Sequence, residues 1–195
     1  MLPVELSSPR VRLDQLRPDD APKVFEYCQD PVMSRHLARL PWPYLLDDAT
    51  DFVTGFVPDA WAGDQECTWA VREPASPELL GVISLSVPAG LDRSSSIGFW
   101  LGAAHRGRGL MVDAERLVLD WGFSTGLCDS VHWECVAGNL ASARAARKVG
   151  FRYTGQGPAG ITYRDGTNPP SWKAVLHAED DRTPQAGWPA EVLER

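Results

Sequence analysis

Ile97-Gly98-Phe99-Trp100-Leu101-Gly102-Ala103-Ala104-His105-Arg106-Gly107-Arg108-Gly109-Leu110 is the stretch on which the reading of the fold turns. Its apolar, aromatic start suits a strand that ends at Gly102. A short loop follows, in which Gly107 and Gly109 alternate with Arg106 and Arg108. Then Leu110, Ala114, Leu117, Val118 and Trp121 fall at helical spacing, so residues 110–121 predict a helix with one apolar face. A strand that feeds a glycine loop and then a helix is a device for holding phosphate. Glycines let the backbone come close, and the first free N–H groups of the helix point at the anion. Arg106 and Arg108 would add positive charge there. A bare Gly-x-Gly is also what an ordinary strand-to-helix turn looks like, so the downstream sequence has to decide.

Downstream, Ser130 to Val136 alternates as a strand, with Val131, Trp133 and Cys135 on one side and His132, Glu134 and Val136 on the other. Ala137-Gly138-Asn139 then turns into a helix over about Leu140 to Val149, stopped by Gly150. Asn139 sits where an N-cap belongs, and Ser142 lies one turn into the helix.

Taken together, these stretches resemble the GNAT N-acetyltransferase superfamily, in particular its RimJ/RimL-like branch. The superfamily's loop reads Arg/Gln-x-x-Gly-x-Gly/Ala, and Ala104 to Gly109 matches its two glycines but departs at the first place, where Ala104 stands. Asn139-Leu140-Ala141-Ser142 and Arg147-Lys148-Val149-Gly150-Phe151 match the branch's Asn-x-x-Ser … Lys-x-Gly-Phe pattern at the right spacing. The resemblance spans about Pro9 to Leu176. It implies a single α/β (α+β) domain over residues 9–178, with a mixed, mostly antiparallel sheet flanked by helices and two splayed parallel strands at its centre. It also implies an acetyl-CoA-dependent transfer of an acetyl group to a primary amine, by direct attack in a ternary complex. The cofactor arm would pair with main-chain groups of Phe99, Trp100 and Leu101. Its phosphates would meet Arg106, Gly107, Arg108, Gly109 and Leu110, and Asn139 and Ser142 would reach it from the next helix. Ser142 is the candidate acid for the departing thiolate, with simple helix capping as its rival role. Many members carry a glutamate base just before the Ile-Gly run, where this chain has Ser96. Glu134 is the candidate base in its place, and Asp92, Glu66, His105 and His132 stand behind it. A non-catalytic acyl-CoA-binding module of the same fold is the alternative reading.

The flanks agree with that order of elements. Residues 9–16 alternate as a strand, and Arg17 to Pro22 opens a helix that runs to about Gln29. Asp30 to Tyr44 reads as an irregular loop rich in proline and aromatics, and Ala49 to Phe56 as a short amphipathic helix broken from Pro58 onward. Residues 68–72 and 80–87 predict an antiparallel pair, residues 151–155 and 171–176 the last two strands, and residues 179–195 a surface tail.

At 195 residues with 44% hydrophobic and 23% charged residues, the chain has the balance of a soluble single domain. A net charge of −7 argues against general nucleic-acid binding and mildly suits a cationic acceptor. Cys28, Cys67, Cys128 and Cys135 are scattered without a Cys-x-x-Cys pair, so free thiols are expected rather than a zinc site or a disulfide framework. No leader pattern opens the chain and no apolar run approaches a membrane span, which makes the cytoplasm the expected compartment. The acceptor amine stays unnamed, and a homodimer stays open as an assembly.

Overall fold

In the computed structural model, which describes residues 1–194, β5 (Ser94–Leu101) is the hinge of a single eight-stranded sheet ordered β1-β2-β3-β4-β5-β6-β8-β7. On one side of it lies a continuous antiparallel run. β1 (Leu6–Ser7) pairs with β2 (Arg12–Asp14), β2 with β3 (Glu66–Arg72), β3 with β4 (Gly81–Ser86), and β4 with β5. On its other side β5 runs parallel to β6 (Ser130–Val136), which pairs along its whole length with β8 (Pro170–His177). β7 (Arg152–Pro158) closes the far edge against β8, with a bulge between Tyr153 and Gly155. Among the described residues the sheet therefore has one parallel pair, β5–β6, inside the sheet as expected.

The helices are α1 (Ala21–Cys28), α2 (Pro31–His36), α3 (Leu46–Asp51), α4 (Val57–Ala62), α5 (Leu110–Ser124), α6 (Leu140–Lys148) and α7 (Ala190–Leu193). Alternation in β3 and β4 supplies a core in which Trp61, Trp69 and Trp121 meet edge to face or tilted, with centroids 5.1 and 5.3 Å apart for the two contacts of Trp69. Arg72 is fully buried beneath this layer. It is held by Asp14 at 2.7 Å and Asp20 at 2.6 Å, and it also donates to the Pro77 carbonyl. That fixes β2, β3 and the turn before α1 to one another.

Three expectations are corrected. Residues 30–44 are not wholly irregular, because Asp30 caps Val32 N–H and starts α2. Pro58 does not break the helix before it. Phe52–Phe56 is a π-helical segment that joins α3 to α4, and Pro58 sits in the first turn of α4, where its missing N–H costs no ladder bond. The C-terminal stretch is not all surface. Trp188 and Val192 are buried, Trp188 donates to the Phe151 carbonyl, and Arg144 donates to the carbonyls of Glu191 and Val192. An aromatic among prolines and charges gave little periodic signal for this docking.

All four cysteines are free. Burial pushes the thiols of Cys28, Cys67 and Cys135 up to about 12. No helix among the described residues is long and apolar enough to cross a membrane.

Candidate active site

Register decides the geometry of the site. β5 and β6 pair only at Ser94–Ser130, Ser95–Val131 and Ser96–His132. Beyond that rung β5 stays with β4 and β6 stays with β8, so Ile97–Leu101 and Trp133–Val136 diverge and leave a slot. The Gly102 N–H donates to the Leu80 carbonyl and the Ser96 N–H to the Ser86 hydroxyl. By antiparallel alternation, residues 96, 98, 100 and 102 turn their main-chain groups to β4. Ile97, Phe99 and Leu101 turn theirs into the slot. Trp100, expected among the main-chain partners, faces β4 instead, for that reason of parity.

At the open end of the slot the chain coils into α5. Gly107 and Gly109 have φ of 76° and 78°, a left-handed conformation that disfavours side chains. The α5 ladder begins with Asp113 N–H on the Gly109 carbonyl. Among the described residues, the amides from Gly107 to Val112 have no hydrogen-bond partner. Arg106 and Arg108 do not reach over those amides as expected. Arg106 donates to the Leu101 carbonyl at 2.9 Å and pairs with Asp30 at 2.9 Å. Arg108 pairs with Glu73. A carboxylate from another part of the chain, Asp30 or Glu73, draws each guanidinium away. Arg10, which sequence reasoning passed over, lies closer. Its guanidinium donates to the Arg108 carbonyl, pairs with Asp113 at 3.0 Å, and sits within 4 Å of where a Gly109 side chain would be.

From the other wall, the Asn139 side chain accepts from the Ser142 N–H at 3.3 Å, which makes it the N-cap of α6. The Ser142 hydroxyl accepts from Trp133 Nε1 at 3.2 Å, so its own proton is free to be donated. From the sequence, Trp133 is only a strand residue on the same side as Val131 and Cys135. No sequence signal pairs it with Ser142. The Glu134 carboxylate accepts from the Gly160 N–H at 2.9 Å and lies 3.6 Å from the Lys173 ammonium. Loop 159–169 thereby becomes a strap across the site. Midway along it the Tyr163 hydroxyl donates to the His36 carbonyl and Arg164 to the Ser34 carbonyl.

Of the remaining candidates, His105 is spent on packing, since Tyr27 donates to the Leu79 carbonyl and shares a 2.8 Å hydrogen bond with the His105 ring. Asp92 lies in the β4–β5 loop and caps Ser94 N–H. Glu66, His132 and Glu134 all line one cleft of about 1440 Å³, which joins the slot to the face covered by α2, α3 and the strap. Among the described residues, no group of three His, Cys, Asp or Glu side chains is placed to hold a metal.

Residues 10–152 match the family model described as the acetyltransferase (GNAT) domain. The chain belongs to the GNAT acetyltransferase family. Within that family it is 27% identical over 120 residues to the probable N-acetyltransferase YjcK of Bacillus subtilis (strain 168), a match covering 61% of this chain and 66% of that protein. The GNAT fold recurs in the RimJ structure from Mycobacterium smegmatis in complex with a CoA-disulfide. That structure has a TM-score of 0.76 at 19% identity, covering 90% of this chain and 87% of the other. It recurs as well in a microcin self-immunity acetyltransferase, MccE, in complex with acetyl-CoA and AMP, with a TM-score of 0.75 at 16% identity and coverage of 87% and 93%.

Proposed function

We propose that this GNAT domain transfers an acetyl group from acetyl-CoA to a primary amine by direct attack. One observation carries the reading: the slot between β5 and β6 runs from the closed Ser96–His132 rung to a helix start where six amides, Gly107 to Val112, are unpartnered among the described residues. A co-substrate with a diphosphate at one end and a thioester at the other suits that arrangement. The amides and the helix end would take the diphosphate. Main-chain groups of Phe99 and Leu101 would pair with the amide-bearing arm, as an added strand does.

In this reading the amine attacks the thioester carbon from the cleft side. The carbonyl oxygen gains charge as the C–N bond forms, and an N–H of β5 stabilises it. The amine sheds its surplus proton into the cleft, the C–S bond breaks, and the Ser142 hydroxyl, its oxygen held by Trp133, passes a proton to the thiolate and regains one from water. Asn139 keeps the start of α6 in place rather than touching the reacting atoms. Glu134, tied to Gly160 and Lys173, serves better as the anchor of the strap than as a base. The acceptor binds between the strap and the α2–α3 face, in the cytoplasm.

The experiment pairs calorimetric titration of acetyl-CoA with release of free coenzyme A thiol. The acceptors are a panel of tripeptides with free α-amines, a polyamine and an aminoglycoside. Saturable binding and thiol release with at least one amine are expected; no turnover with any would overturn the enzymatic reading. The second reading, an acyl-CoA-binding module without turnover, draws on the engaged state of Glu134 and the serine at position 96. Any amine-dependent turnover excludes it.

A further inference from the structure

A row of side chains crosses the sheet in register at the closed end of the slot. Glu66 of β3 stands opposite Ser86 of β4. The Ser86 hydroxyl takes the Ser96 N–H at 2.7 Å, and Ser96 of β5 stands opposite His132 of β6. Residues opposite one another in a ladder share a face, so all four side chains lie on the side that lines the cleft. The row ends at His132, the last rung before the strands part. Among the described residues the His132 imidazole has no hydrogen-bond or ion-pair partner, and it is exposed to the cleft.

That position is chemically distinct from every neighbour. Glu134, two residues on, is engaged by Gly160 and Lys173. Glu66 lies three strand spacings away, roughly 14 Å, and accepts from the Thr68 hydroxyl. Tyr163 of the strap is neutral, its phenol pushed up by burial, and its hydroxyl is turned to the His36 carbonyl. The titratable groups on the opposite wall are His36, whose pKa burial lowers, and Arg39 of the α2 side, and Asp48, Asp51 and Asp59 along α3 and α4. They stand across the cleft, where they face an acceptor rather than the rung.

If the diphosphate binds at the α5 start, the thioester ends where the slot closes, and His132 borders that point. We infer that His132 is the catalytic residue that takes the proton from the attacking amine. This rests on the activity proposed above and deepens it. The C–N bond forms, the amine's proton passes to the imidazole, and the C–S bond breaks. The imidazolium returns the proton to water, and Ser142 supplies the thiolate's and regains its own from water. Imidazole suits the task because a ring nitrogen can take up and hand on a proton, and an unpartnered ring can accept it without first breaking a contact. Ser96 and Ser86 stand beside it as hydroxyls through which water in the cleft can carry the proton away.

The test uses the full chain, acetyl-CoA, and whichever amine of the panel the wild type acetylates fastest. His132→Gln is expected to bind acetyl-CoA unchanged and to lose about a hundredfold or more in kcat/KM at neutral pH, as removal of a general base does. The loss should narrow as pH rises and the amine sheds its proton unaided. His132→Ala should regain turnover when free imidazole is added, which a purely structural role would not allow. A His132→Gln protein with the wild-type rate and pH profile overturns the assignment and leaves the activity standing. So does a folded variant that has lost acetyl-CoA affinity, or an alanine variant that imidazole cannot rescue. A wild type that acetylates nothing in the panel overturns both.

Discussion

β5 has two edges, and they are treated in opposite ways. Toward β4 it is zipped from Leu101 to Ile97, and the layers behind it are filled by Trp61, Trp69 and Trp121. Even the buried guanidinium of Arg72 in that half has its donors met by Asp14, Asp20 and the Pro77 carbonyl. Toward β6 the zip stops after Ser96, and main-chain groups that a sheet would normally use are left over. Unpaired backbone groups are costly when buried, so a sheet keeps them only where something else binds. One half of the molecule is organised to satisfy itself, the other to be satisfied from outside.

The largest effects should separate those halves. Arg72→Met removes the centre of a buried network and leaves the buried Asp20 carboxylate without a cation, while Asp14 keeps Arg12 and Arg17. A loss of about 3–5 kcal/mol in unfolding free energy by urea titration is expected, with acetyl-CoA affinity retained in whatever protein stays folded. An equal loss of affinity would mean the two halves are not independent. Gly109→Glu works the other way. It forces a side chain into φ of 78° and puts a negative charge beside the free amides. Calorimetry should show acetyl-CoA binding weakened at least about a hundredfold, which is about 2.7 kcal/mol, with far less change in stability. Ser142→Ala should leave binding intact and lower kcat by roughly tenfold or more, since the thiolate can still draw a proton from water. An unchanged kcat would reduce Ser142 to a capping residue.

The same asymmetry explains what could be read from residues alone. Strand alternation, the α5 face and the Asn139 cap are local, short-period signals, and the structure carries each of them. The parallel β5–β6 pair and its early end are long-range, and resemblance to a family implied them where periodicity could not. What stayed hidden were partnerships set by tertiary approach. Arg106 and Arg108 look like phosphate ligands in the sequence until Asp30 and Glu73 arrive from distant loops. Trp133 looks like core until α6 brings Ser142 to its indole nitrogen. The His132 row exists only once four strands are in register.

The smallest effect sharpens the contrast from behind the slot. Glu115 sits on α5, fully buried, and neither carboxylate oxygen has a partner among the described residues. Burial raises its pKa well above the usual glutamate value, so the folded protein holds it protonated where the unfolded chain would release the proton. The sign follows from proton counting. Between the unfolded and folded pKa the native state binds more protons, so this group's contribution to stability is full below the unfolded value and falls as pH rises toward the folded one. Glu115→Met keeps the volume and removes the ionisable group. It should raise stability by about 1–3 kcal/mol at pH 8 and by much less at pH 4, with the stability-versus-pH slope flattened between. Arg72 and Glu115 are both buried and both ionisable, yet removing one should unfold the protein and removing the other should steady it, because only the first has its charge answered. A Glu115→Met protein less stable than the wild type at pH 8 would show that α5 uses this carboxyl, and that the side of the sheet behind the slot is as fully satisfied as the side around Arg72.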